Sequence, residues 1–348
     1  MNFKETLIYW YAQNKRELPW RKTQNPYHIW LSEIMLQQTR VQQGLPYFLK
    51  FTEAFPTLFD LANAEESYVL KLWQGLGYYS RARNLHFTAK YIANELNGVF
   101  PDSYKGLLKL KGVGDYTASA IASICFNEAS AVVDGNVYRV LSRYYGIETP
   151  INSTQGIKNF KELAQSLIDV DNPGTFNQAI MDFGATQCKP QNPDCNICPF
   201  VNSCVAHEKD LIQSLPVKTK KIKVKKRYFN YLVVELDNDT TVLEERTEKG
   251  IWQNLYQFPL IESSKIIDEE ALVKEELFQS LFKKEVSIKL FNHESIVHKL
   301  SHQHLYTRFW IVKTSEVNQS TISWSKVEEF PVSILIHKFL ENYKNSEN

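Results

Sequence analysis

The chain has 348 residues, 43% of them apolar, and a formal net charge of +1. That length suffices for two or more domains that each bury a core. No apolar run approaches the roughly 20 residues needed to cross a bilayer. The start, MNFKETLIYWYAQNKRELPW, is an amphipathic mix and not a leader peptide, so an intracellular protein away from membranes is expected.

From residue 1 to about 212 the pattern is helical, with apolar residues at i, i+3 and i+4 in 65–73, 82–96 and 158–170. Gly and Pro punctuate it at 55–57, 75–80, 99–103 and 171–175. A basic stretch follows: KTKKIKVKKR at 218–227 carries seven basic residues and no acid, and 213–227 reads as a linker. Such a run is most often solvated, and nucleic-acid contact is the sharper alternative. Beyond it, 228–245 predicts a strand, a turn at DND and a second strand, and 268–283 predicts one helix. Strands return at 287–291 and 307–312, which makes 228–348 a smaller domain of mixed helices and strands.

Four of the five cysteines fall within residues 188–204, as Cys188, Cys195, Cys198 and Cys204. The dense set argues against a secreted disulfide framework. A single CxxC is poor for a zinc ribbon, and four thiolates in a short loop with prolines suit a cubane iron–sulfur cluster, although thiolates also hold zinc. Cys125, between apolar neighbours, reads as core. A second motif, LLKLKGVGDYTASAIAS at 107–123, predicts helix, hairpin, helix. Gly112 and Gly114 let the backbone turn tightly, and their amides, with the start of the next helix, form a grip for phosphate that does not read bases.

The hairpin LKGVGDYTA, the segment VDGNVYRVLSR at 133–143 and the cysteine spacing resemble the endonuclease III superfamily of base-excision DNA glycosylases. Within it, PWR at 19–21, WLSEIMLQQTRV at 30–41 and GLGYYSRARNL at 75–85 resemble the adenine DNA glycosylases. GIWQNLYQFPL at 250–260 and LSHQHL at 300–305 are similar to that family's Nudix-like C-terminal domain. The resemblance implies a mainly helical glycosylase domain over 1–212, with a six-helix barrel module, a helix-hairpin-helix and an iron–sulfur module, followed by an α+β Nudix-like domain. It implies a 4Fe-4S cluster on the four cysteines, a monomer, and duplex DNA with adenine opposite 8-oxoguanine or guanine as partner.

Glu33 has Ile29, Trp30 and Leu36 as helix neighbours, and local sequence alone favours an ordinary Glu at a helix edge. A carboxyl facing that stripe would instead be desolvated and protonated near neutrality, as a general acid requires, and the resemblance favours this second reading. The resemblance implies that it protonates N7 of adenine and positions water. Asp134 precedes a helical run and reads as an N-cap; by resemblance it also stabilises the oxocarbenium-like sugar, with Asn136 in support. Two carboxylates in unlike environments are the general device for glycosidic cleavage. Where lyase relatives carry a lysine, this chain has Tyr116. A phenol forms no imine, so the expected product is an abasic site in an uncut strand.

Adenine must leave the duplex to be reached. The resemblance implies that Gln38 and Tyr78 fill the gap, that Leu76 and Thr39 lie near the opposing base, and that Arg21, Leu36 and Gln178 line the adenine pocket. Ser301 and His302 are expected on a loop contacting 8-oxoguanine, next to Leu300, where the family often has Phe. The helix predicted at 268–283 lacks the Nudix Arg-Glu and leading glycines, so the second domain reads as a binding domain. Two rivals are a lyase for oxidised pyrimidines, opposed by Tyr116 and the second domain, and a non-catalytic DNA binder, opposed by the two carboxylates in their motifs.

Overall fold

The computed structural model describes residues 2–219 and 224–347, so positions 220–223 of the expected basic linker lie outside the described residues. The chain divides into two units, Met1–Asn63 with Asn84–Lys220, and Ala64–Arg83 with Lys221–Asn348. Compactness thus groups residues 64–83 with the C-terminal segment, whereas the sequence reading placed them in the helical domain. Hydrogen bonds inside the second unit give the reason: Lys71 Nζ donates to the Phe330 carbonyl (3.2 Å), Val332 N to Gln74 Oε1 (3.1 Å) and Arg83 Nη1 to the Gln253 carbonyl (2.7 Å).

In chain order the helices are α1 (Phe3–Asn14), α2 (Pro26–Leu36), α3 (Val41–Ala54), α4 (Leu58–Asn63), α5 (Glu66–Leu72), α6 (Ser80–Glu95), α7 (Tyr104–Leu107), α8 (Asp115–Phe126), α9 (Gly135–Tyr145), α10 (Thr154–Leu167), α11 (Pro173–Asp182) and α12 (Val205–Glu208). Helix α2 starts where Asn25 caps Tyr27 N and Pro26 supplies a helix-ready φ. It is buried almost all round, from Tyr27 to Met35, as a central helix must be. Helix α8 is the same from Thr117 to Ile124. The two pack together, and α11 packs on α1, α8 and α9. Burial of Trp30, Leu31, Ile121 and Phe176 contributes about 1.5–3 kcal/mol each.

The first helix of the hairpin motif lies slightly earlier than expected, at Tyr104–Leu107, and the turn falls at Gly112, whose φ of 82° suits glycine. After α11 the chain widens into a π-helical turn over Phe183–Gln187, where a Cβ on Gly184 would stand 2.6 Å from Asn136 Cβ. Only glycine lets that turn approach α9 so closely.

The second unit holds β1 (Lys225–Leu236), β2 (Thr240–Thr241), β3 (Glu244–Glu245), β4 (Tyr256–Gln257), β5 (Leu260–Ser263), α13 (Glu269–Leu272), α14 (Glu276–Leu281), β6 (Ser287–Leu290), β7 (Ile296–Lys299), β8 (Gln303–Thr314), β9 (Ile322–Ser323) and α15 (Ile334–Glu347). The main sheet runs β6-β8-β1-β2-β9, with β5 on β1 and β7 on β8. Its spine is a parallel pairing of β1 and β8 from Lys225↔Gln303 to Leu236↔Thr314. One face, with Leu232, Val234, Trp310 and Val312, is covered by Leu272, Phe278 and Leu281. On the other face Phe309 stacks on Phe339 of α15, with ring centroids 4.0 Å apart.

Two expectations change here. The strand after the DND turn is broken into β2 and β3, and the helix predicted at 268–283 is two pieces. Six residues along one straight helix turn about 240°, which would carry Phe278 away from the face that Leu272 occupies. The break brings Leu272, Phe278 and Leu281 into one core. Among the described residues no helix is long and apolar enough to cross a membrane.

Candidate active site

A cavity of about 140 Å³ opens in the helical unit, lined among others by Arg21, Glu33, Leu36, Thr39, Tyr116, Asp134, Asn136 and Gln178. A void of about 150 Å³ takes up benzene, so the scale suits one flat ring. Gln38, exposed and with φ of 56°, sits in the turn after α2 and outside the lining.

Glu33, on the buried helix α2, is 7% exposed. Burial raises its carboxyl to about 7; a hydrogen bond with Tyr116 and the Arg21 charge pull downward, while Asp134 pushes further up. The protonated form of this group is therefore available near neutral pH. Tyr116, at the start of α8, is also raised by burial and by Glu33 and Asp134, which keeps the phenol neutral. Its hydroxyl also lies 3.2 Å from the Met181 sulfur.

Asp134 is the N-cap of α9, as its position before a helical run predicts. Its Oδ1 accepts from Asn136 N (2.9 Å) and Val137 N (2.8 Å), and its Oδ2 from Asn136 Nδ2 (2.7 Å). Burial raises its pKa and these hydrogen bonds offset part of that rise. Asn136 Oδ1 in turn accepts from Arg139 Nη2 (2.9 Å). One carboxyl thus lies in apolar surroundings that favour its protonated form, and the other is held in place by three donors. That arrangement can protonate a leaving base and stabilise a cationic sugar.

Sequence reasoning missed the support beneath the cavity. Asp182, fully buried at the end of α11, accepts from Arg16 Nε (2.9 Å) and Arg21 Nη2 (2.6 Å), and Arg21 Nη1 also donates to it. The two guanidiniums hold its carboxyl below the usual range against the effect of burial. The available signal was spacing, since Asp182 lies one helical turn beyond Gln178.

Cys188, Cys195, Cys198 and Cys204 surround one small cavity of about 30 Å³ beside Arg143. Burial pushes the Cys198 thiol up to about 12, with the other three sulfurs adding to the rise. Four crowded thiols ionise together only around a cationic centre, so the donor set fits a metal cluster. Arg143 Nη1 stands 3.6 Å from Cys188 Sγ and donates to the Lys189 carbonyl (2.7 Å). Among the described residues no three His, Cys, Asp or Glu side chains are grouped to hold a single ion. Cys125 stands apart from the four, its thiol pushed up to about 12 by burial, with Glu33 adding.

In the second unit, β7 and β8 form a hairpin closed by Leu300 N donating to the Gln303 carbonyl (2.8 Å). Ser301 and His302 are exposed at its tip. The Ser301 hydroxyl shares a 2.6 Å hydrogen bond with the Tyr78 hydroxyl. Tyr78, with φ of 50°, follows the turn at Gly75 and Gly77, and Arg81 lies over its ring at 5.5 Å while donating to the Gly77 carbonyl (3.0 Å). Leu76 is only 4% exposed. At Gly114 a Cβ would meet nothing within 4 Å, which leaves that turn open to an approaching partner.

The sequence profile of the HhH-GPD superfamily of base excision DNA repair proteins matches residues 31–185, and that of the NUDIX domain matches 230–342. Fold and site together define a helix-hairpin-helix DNA glycosylase, a hydrolase of N-glycosyl bonds. The adenine DNA glycosylase of Buchnera aphidicola subsp. Baizongia pistaciae is 38% identical over 314 residues, covering 89% of this chain and 86% of that protein. That of Homo sapiens is 45% identical over 216 residues, 60% of this chain and 40% of the human protein. The chain belongs to the adenine DNA glycosylase family, acting in base excision repair. Among solved structures, a thermostable thymine-DNA glycosylase is 32% identical with a TM-score of 0.55, over 60% of this chain and 95% of that one. An endonuclease III trapped on DNA, 21% identical with a TM-score of 0.53, shares the fold over 60% of this chain and 95% of its own.

Proposed function

We propose that this enzyme hydrolyses the N-glycosidic bond of adenine paired with 8-oxoguanine or guanine in duplex DNA and stops at the abasic site. The observation that carries the reading is the pair of carboxyls on one cavity, Glu33 raised to about 7 and Asp134 fixed by three donors. Glu33 gives its proton to N7 of the flipped adenine, the bond from the sugar carbon to N9 breaks, and Asp134 stabilises the cationic sugar. Water adds to that carbon, and its proton returns to the Glu33 carboxylate. Asn136 holds Asp134 in place. Tyr116 supplies no amine, so no covalent imine forms and the strand stays whole.

Arg21, Leu36 and Gln178 hold the base; Gln38 and Tyr78 occupy its vacated place, with Leu76 and Thr39 beside the opposing base. Gly112 and Gly114 grip the backbone phosphate, and Ser301 and His302 read the 8-oxoguanine edge. Cys188, Cys195, Cys198 and Cys204, which line one cavity, would hold a 4Fe-4S cluster. It would tie their loop down and supply no electrons to the hydrolysis.

A single-turnover assay on a duplex with one adenine opposite 8-oxoguanine tests the reading. Adenine release with cleavage only after alkali is expected; spontaneous strand cutting, or release of thymine from a T:G duplex in place of adenine, overturns it. Anaerobically prepared protein should carry about four irons per chain; stoichiometric zinc would overturn the cluster.

A further inference from the structure

We propose that Tyr11 is a specificity-determining positioning residue: its hydroxyl fixes the Gln178 amide in one of two orientations and so sets the order of acceptor and donor offered to the base. The inference rests on the reading of the cavity as an adenine pocket.

Gln178 lines the cavity and Tyr11 does not. Tyr11, on α1 and 7% exposed, donates its O–H to Gln178 Oε1 at 3.0 Å. The two ends of a glutamine amide have nearly the same shape, so a half-turn swaps donor for acceptor with almost no steric effect. Only the hydrogen-bonding neighbours decide between the two.

A neutral phenol could donate or accept; burial keeps the Tyr11 hydroxyl protonated, and here it donates to Gln178 Oε1. The Arg21 guanidinium lies 5.8 Å from the Tyr11 ring centroid, and its charge pulls the phenol's pKa down against the larger effect of burial. Both terminal nitrogens of Arg21 are held by Asp182, which is fully buried and further held by Arg16. The cation therefore cannot swing away, and the chain Asp182–Arg21–Tyr11 ends in a proton aimed at Gln178 Oε1.

A carbonyl oxygen has two lone pairs, so Oε1 keeps one for the ligand while Nε2 keeps its donors. The cavity thus presents an acceptor beside a donor in fixed order. Adenine offers the complement, the N6 amine beside the N1 acceptor, with N7 left to Glu33. Hypoxanthine offers the reverse, an O6 acceptor beside an N1–H donor. An amide free to flip would serve either base; an amide locked by Tyr11 serves adenine.

The test compares single-turnover excision of adenine and of hypoxanthine, each opposite 8-oxoguanine, by wild type, Tyr11→Phe, Gln178→Ala and the double variant. Tyr11→Phe keeps the ring beneath Arg21, and a thermal melt checks that the fold is kept. The hypoxanthine-to-adenine rate ratio should rise about fivefold to tenfold in Tyr11→Phe, the scale of one hydrogen bond. In the Gln178→Ala background the same change should leave the ratio unmoved. A ratio unchanged by Tyr11→Phe but altered by Gln178→Ala overturns the lock alone, as does a parallel fall of both rates in Tyr11→Phe, which is a packing effect. If Gln178→Ala also leaves the ratio unchanged, the pocket reading falls and the inference with it.

Discussion

In the helical unit the ionisable groups sit on rigid elements away from bulk water: Glu33 on α2 and Asp182 on α11 are buried, and Tyr116 on α8 and Asp134 at the cap of α9 are partly buried. In the second unit the paired hydroxyls of Tyr78 and Ser301 lie at exposed turns. The contrast follows from the physics of each task. A carboxyl reaches a pKa near 7 only where water is excluded, and helices hold it there without adjustment during the reaction. A group that must trade one hydrogen-bond partner for another works best near solvent, where the exchange costs little.

The sharpest way to break this contrast is at Asp182. Asp182→Ala should lower stability by about 3 kcal/mol in urea unfolding, because Arg21 and part of Arg16 lose their partner in a buried setting. A loss below about 1 kcal/mol would mean that the buried ion pairs support little.

Next in size is Glu33→Gln, which should slow adenine excision by at least about a hundredfold with DNA affinity nearly kept. Asp134→Asn should do likewise, and wild-type rate in either variant would refute its role. The wild-type rate should fall as pH rises through about 7, where Glu33 loses its proton. Stability carries the same sign. A carboxyl raised on folding binds an extra proton between its unfolded value, about 4.5, and about 7, so stability falls with rising pH across that window. Glu33→Gln should therefore be more stable than wild type at pH 8, by up to about 3 kcal/mol, and no more stable at pH 4. An equal difference at both pH values would count against the raised carboxyl.

At the hairpin tip, Ser301→Ala should reduce the preference for adenine opposite 8-oxoguanine over guanine by about tenfold, the scale of one base contact. The full-length chain is the right vehicle. Removing the segment after residue 219 would strip Glu66, Lys71, Gln74, Tyr79 and Arg83 of partners at Asn254, Phe330, Val332 and Gln253. An unchanged ratio would leave the reading of the opposing base to the helical unit. The smallest effect is expected at the hairpin: Gly112→Ala, at φ of 82° and with Cβ 2.9 Å from Asn84 Cβ, should lower stability by about 1 kcal/mol or slightly more in thermal unfolding.

Much of the site was legible because it is written in local patterns. Glu33 among Ile29, Trp30 and Leu36 left a helix-edge Glu and a desolvated acid both open, with the family motif favouring the second, and burial raises it. Asp134 before a helical run predicted an N-cap, and it caps Asn136 and Val137. The cysteine spacing put four thiols in one short loop as ligands of a cluster, and all four line one cavity. Less legible was 268–283, where a helical pattern is cut in two by the need to face Leu272 and Phe278 to one core.

What the sequence determined by itself is what short range dictates: helix starts, the glycine turn, the apolar faces, and through the motifs the family. Only the tertiary structure decided which distant residues meet. Asp182 and Arg21 are 161 positions apart and Tyr11 and Gln178 are 167 apart; local spacing puts Asp182 on the same face as Gln178 but does not show which distant partner either one meets. Residues 64–83 read as part of a helical domain because 66–72 and 80–83 are helical. They pack with the C-terminal segment because their polar groups find partners there, and the free energy of such long-range pairing is realised only when the chain closes on itself.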